Sequence, residues 1–92
     1  MIKKITVKIE GKKYVMKTQS YRALFLWEEI TGKTISEMKG MKDMITLFYC
    51  LLKVSNDNFD YDLEGFVDAI EEDEQLINEL IASQNTDKKK VT

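Results

Sequence analysis

The chain has 92 residues, 43% apolar and 33% charged, with a net charge of −2. That length allows one domain with one modest core, burying roughly 60–68% of the unfolded surface. Histidine, the commonest general base and metal ligand, is absent, and the single cysteine, Cys50, rules out an internal disulfide.

Residues 4–9, KITVKI, alternate with period two, the mark of a half-buried strand. Gly11 follows, then Tyr14, Val15 and Met16. A loop at Gly11-Lys12 places glycine at the first central position of a type II′ turn. This register sets Ile9 opposite Tyr14 and Val7 opposite Met16. It is preferred over a Glu10-Gly11 loop on the expectation that it keeps the apolar residues on one face. A lone hairpin is marginal in water, so helices must cover it. The same alternation lacks the apolar core of a signal peptide, and the longest apolar run, residues 47–52, is too short to cross a bilayer. A cytoplasmic protein with no membrane partner is expected.

Ser20 is placed to cap a first helix over residues 21–31. At about 100° per residue, Ala23, Leu24, Leu26, Trp27 and Ile30 share a broad core face. Tyr21 and Phe25 lie off that face, one turn apart. Gly32 fits a left-handed C-terminal cap. Thr34 or Ser36 can start a brief turn around Glu37 and Met38 before Gly40 breaks the chain. A second helix over residues 42–54 carries Met44, Ile45, Leu47, Phe48, Leu51, Leu52 and Val54 over about half its circumference, with Cys50 on the polar flank beside Thr46 and Lys53.

Residues 55–62 are polar apart from Phe59 and Tyr61. Asp60 or Asp62 can cap the next helix. Leu63, Phe66, Val67 and Ile70 form one stripe, and Leu76, Ile77, Leu80 and Ile81 form another. The acidic run 71–74 either joins the stripes in one long helix or separates two short ones. Residues 85–92 are nearly devoid of apolar side chains and are expected to be a disordered polar tail beyond a globular domain of residues 1–84. The fold class is α+β: an N-terminal hairpin packed on three or four helices.

Charge is segregated along the chain. Residues 1–17 hold six lysines (Lys3, Lys4, Lys8, Lys12, Lys13, Lys17) and one acid, Glu10. Residues 54–87 hold no basic residue but carry Asp57, Asp60, Asp62, Glu64, Asp68, Glu71, Glu72, Asp73, Glu74, Glu79 and Asp87. Two solvated faces explain this, as does complementarity between copies or with a charged partner.

No constellation points to catalysis, and neither a cofactor nor a metal is expected. Cys50 between aromatic and aliphatic neighbours reads as a packing residue. The acidic stretch from Asn56 invites comparison with a calcium loop, which requires glycine at its sixth position and glutamate at its twelfth. Counting from Asn56 puts Tyr61 sixth. Counting from Asp60 satisfies both positions with Gly65 and Glu71 but competes with the helical stripe. The hairpin lysines offer a basic surface for nucleic acid, although strand lysines also serve to discourage edge-to-edge aggregation. The stronger lead is apolar excess. Tyr21, Phe25, Phe59 and Tyr61 are either wrapped by the fold itself or exposed as an aromatic patch for a protein partner.

The order of elements, with Tyr21-Arg22-Ala23-Leu24 running into Trp27-Glu28-Glu29-Ile30-Thr31-Gly32-Lys33-Thr34-Ile35, resembles the tail assembly chaperones of long-tailed phages and prophages. Members often read "aLxxLEExTGks" after an N-terminal strand pair. The motif-like part is residues 23–35, with Trp27 where leucine is common. The resemblance implies a non-enzymatic protein that binds the tape measure protein, keeps it soluble while the tail tube assembles, and is absent from the mature virion. It supplies no transferable site residues. Some members are also made in a longer, frameshifted form, and Lys88-Lys89-Lys90 is compatible with a slippery adenine run.

Overall fold

The computed structural model describes residues 3–91, with side chains through Gln84, as an antiparallel hairpin followed by four helices, an α+β fold. Strands β1 (Lys4–Ile9) and β2 (Lys12–Lys17) are joined at Glu10-Gly11. Glu10 and Gly11 have φ of 52° and 86°, both left-handed, as a type I′ turn requires. The register is Ile9↔Lys12, Val7↔Tyr14 and Ile5↔Met16. This corrects the expected pairing of Ile9 with Tyr14 through a Gly11-Lys12 loop. Moving the loop by one position slides the register by two residues, which preserves the facing of every side chain. Both registers therefore put Tyr14 and Met16 on the isoleucine face, and turn geometry decides between them.

Helix α1 (Tyr21–Thr31) starts where Ser20 Oγ accepts the Ala23 N–H at 3.3 Å. It stops at Gly32, whose φ of 72° lets its N–H reach the Glu28 carbonyl at 2.8 Å. A short 3-10 turn, Ile35–Glu37, follows, with Glu37 Oε1 accepting the Thr34 N–H at 2.9 Å. Helix α2 (Gly40–Ser55) is the centre of the molecule and packs against α1, β2 and α3 (Leu63–Glu72). Asp62 caps α3 by accepting the Gly65 N–H at 2.8 Å.

The two C-terminal stripes belong to separate helices. The chain breaks at Asp73, with φ of −137° and ψ of 86°, and α4 runs Glu74–Val91. Its backbone continues through the stretch expected to be a disordered tail. The side chains of residues 85–91, and Thr92 entirely, lie outside the described residues.

The apolar face of the hairpin rests on α2 beneath β2 and on α4 beneath β1. Val7, Ile9, Tyr14 and Met16 are buried there with Trp27, Phe48, Leu51, Leu52, Phe66 and Leu80. Burial around α2 exceeds the expected half circumference and takes in Thr46, Tyr49 and Cys50. Cys50 is fully buried, not on a polar flank. Three neighbours enclose α2, and helical periodicity alone does not reveal how many neighbours a helix has. Conversely, α1 packs chiefly on α2 and buries only Ala23 and Trp27. Leu24 and Leu26 are half-buried, and Ile30, expected in the core, is exposed.

Candidate functional site

Packed chiefly on α2, α1 keeps its outer face in solvent. Tyr21 is 80% exposed and Phe25 67%, one turn apart on the same side. These are the two most exposed large apolar side chains among the described residues. Beside them lies a groove of about 330 Å³ where α1, α2 and α4 meet. Tyr21, Leu24, Leu47 and Leu51 supply its apolar lining, and Thr18 and Gln84 its polar rim. Gln84 Nε2 donates to the Thr18 carbonyl at 3.2 Å, tying the end of the hairpin to α4 at that rim. Leu24, Leu47 and Leu51 read as core residues in the sequence. Their contribution to a groove follows from how α1, α2 and α4 come together, for which helical periodicity carries no signal.

Phe59 and Tyr61 do not join this surface. Phe59 is 3% exposed and sits at the centre of an aromatic cluster. Its ring lies 5.4 Å from Tyr14, 5.9 Å from Tyr49, 6.0 Å from Phe66 and 5.3 Å from Tyr61, mostly edge to face. Tyr61 is half-buried, and its hydroxyl donates to Glu10 in the hairpin turn. Burial, then the Glu10 carboxylate as hydrogen-bond acceptor and neighbouring charge, pushes the Tyr61 phenol well above its usual range. The polar loop thus presents its aromatic side chains inward. Phe59 is withdrawn from the exposed patch, and Tyr61 serves to pin the turn.

The back of α1 is fixed by Asp43 in the first turn of α2. Its main-chain oxygen accepts from Trp27 Nε1 at 3.0 Å. Its carboxylate Oδ2 accepts from Lys33 Nζ at 2.7 Å and from the Lys39 N–H at 3.0 Å. The Lys33 ammonium, followed by that backbone N–H, holds the Asp43 carboxyl below its ordinary value. This clasp ties Trp27 and the segment after α1 to the start of α2.

The six hairpin lysines do not share one surface. Lys4, Lys8, Lys13 and Lys17 project from the outer face of the sheet, whereas Lys12 occupies a position of opposite parity at the turn. Among the described residues, no group of three or more Cys, Asp or Glu side chains is placed to hold a metal ion. No helix there is long and apolar enough to cross a membrane. Comparison with protein-family models, curated proteins and solved structures returns no match.

Proposed function

We propose that this protein is a tail assembly chaperone that holds the tape measure protein during phage tail assembly. The observation that carries the reading is the exposed Tyr21–Phe25 pair beside the groove of Leu24, Leu47 and Leu51. Exposed aromatic side chains next to an apolar cleft suit an aggregation-prone apolar client. The resemblance of residues 23–35 to that family supports the same reading, because this segment builds α1 and its C-terminal cap. On this view the protein acts by covering apolar surface, requires no cofactor, and works in the bacterial cytoplasm.

Co-expression with the tape measure protein encoded downstream tests the proposal. The client should remain soluble and co-purify with the wild-type chain. It should precipitate when Tyr21 and Phe25 are both changed to serine. A client that stays insoluble beside the wild-type protein overturns the reading.

A second reading, a small nucleic-acid-binding regulator, draws support from the four lysines on one face of the hairpin. Salt-dependent DNA binding that disappears on exchanging Lys8 and Lys13 for glutamate is its signature.

A further inference from the structure

The two edges of the hairpin are treated differently. On β2, Asn56 lies against the strand: its Oδ1 accepts the Val15 N–H at 3.2 Å and its Nδ2 donates to the Val15 carbonyl at 2.7 Å. Ser55 Oγ accepts the Lys17 N–H at 3.1 Å. Both outward groups of Val15 and the outward N–H of Lys17 are therefore satisfied by Ser55 and Asn56 at the end of α2. These bonds also fix the ladder pattern. Val15 does not exchange hydrogen bonds with its partner Thr6, so Lys4↔Lys17 and Lys8↔Lys13, two residues away on either side, are non-hydrogen-bonded pairs too. On β1, the N–H and C=O groups of Lys4, Thr6 and Lys8 consequently point outward along the edge. Among the described residues, no group outside the hairpin hydrogen-bonds to them.

That open edge is bordered by like charges. Lys4 faces Lys17 and Lys8 faces Lys13 in the pair type that brings side chains closest. Directly opposed like charges destabilise a hairpin. A second copy of this hairpin, adding edge to edge, would bring further lysines to the same face, so the arrangement repels self-pairing. It favours a strand of the opposite charge.

We propose that the β1 edge is a docking site for an extended acidic segment of another protein, which adds as a third strand. Residues opposite Lys4, Thr6 and Lys8 would project onto the lysine face, within about 4.5–5.5 Å of their neighbours, so acids belong there. Residues between them would project beside Ile5, which is half-buried, so apolar side chains belong there. The occupant alternates acidic and apolar residues. Nucleic acid would use the lysines but leave the open ladder unused, and the ladder is why a peptide is favoured. This site is independent of the α1 surface and does not rest on the chaperone reading.

The test uses the full chain and a short synthetic peptide of alternating Glu and Val, followed by backbone amide NMR. Binding should shift the Thr6 and Lys8 amides and slow their hydrogen exchange at least tenfold. The same peptide N-methylated on its ladder-facing amides keeps its charge and should bind at least tenfold more weakly. Thr6→Pro removes an outward N–H while leaving every β1–β2 ladder hydrogen bond its donor, a position at which an edge strand tolerates proline, and should abolish binding. The double variant Lys4→Glu, Lys8→Glu should weaken binding at least tenfold without lowering the denaturation midpoint. No detectable peptide binding, equal affinity for the N-methylated peptide, or unprotected Thr6 and Lys8 amides overturns the proposal. So does tighter binding of a single-stranded oligonucleotide that displaces the peptide.

Discussion

Phe25 and Phe59 are the same side chain in opposite settings, one 67% exposed and the other 3%. Removing the Phe59 ring opens a cavity among four aromatic neighbours, and Phe→Ala changes of that kind cost about 3–5 kcal/mol. For a domain whose total stability is about 5–15 kcal/mol, that is a large share. Phe25→Ala should shift stability by no more than about 0.5 kcal/mol. Urea denaturation midpoints of the two variants provide the comparison, and equal losses would contradict the burial pattern. Cys50 makes a second residue-level case. Burial pushes its thiol up to about 12 from an ordinary 9.0. The unfolded thiol therefore ionises first, and the contribution of Cys50 to stability is intact below pH 9.0 and is lost as pH rises toward about 12. At pH 8 iodoacetamide should leave the native protein unmodified, with alkylation tracking the urea unfolding curve. Rapid alkylation without denaturant would show an accessible thiolate. The Phe59 contrast is not visible in the sequence, where it sits among acids. Cys50 was legible as a packing residue from its aromatic and aliphatic neighbours, but not its full burial, because helical periodicity put it on a modestly polar flank.

At the scale of elements, the Asp43 clasp joins the end of α1, the 3-10 turn and the start of α2 through Trp27, Lys33 and Lys39. Its folded-state carboxyl is held below the ordinary value of 3.8. Its stabilising effect is accordingly present above the unfolded value and is lost as pH falls through the depressed folded value. Asp43→Asn should lower the denaturation midpoint at pH 7, and the gap from wild type should narrow as pH drops below 3.8. A gap that stays constant with pH would assign the loss to packing rather than charge. The Lys8↔Lys13 pair makes an opposite prediction for the hairpin. Lys8→Glu replaces repulsion by attraction and should raise stability by about 0.2–1 kcal/mol, read from the thermal midpoint. The limits of α1 and the start of α3 were legible because their signals are local: Ser20 and Asp62 cap, and Gly32 closes α1 in the left-handed region. The start of α2 at Gly40, the break at Asp73 and the extent of α4 carry no such signal. The hairpin register was not, because sliding by two residues leaves the apolar pattern unchanged. The α1 surface was half legible. Tyr21 and Phe25 stood off the core face on the helical wheel, while the groove beside them depends on how α1, α2 and α4 converge.

At the scale of the whole molecule, α2 separates two kinds of surface. On one side it carries α1, with exposed aromatics and an apolar groove. On another it supports β2, where its last residue, Ser55, and its C-cap, Asn56, hydrogen-bond to the strand's edge at Lys17 and Val15. Among the described residues, the hairpin offers its longest uncapped edge along β1, under a lysine face. One surface suits an apolar client and should depend little on salt. The other suits an acidic strand and should weaken as ionic strength rises, since its charges are solvent-exposed. Two sites without shared residues should not couple: distant changes combine additively to within about 0.3–0.5 kcal/mol. The variant carrying Tyr21→Ser and Phe25→Ser should therefore lose the client yet bind the acidic peptide with unchanged affinity. Thr6→Pro should do the reverse. Titration calorimetry with the peptide, alongside a client solubility assay on each variant and on the combination, measures the coupling. Additivity fits two separate surfaces, whereas a combined effect departing from the sum by more than about 1 kcal/mol would mean that α2 transmits occupancy from the hairpin to α1.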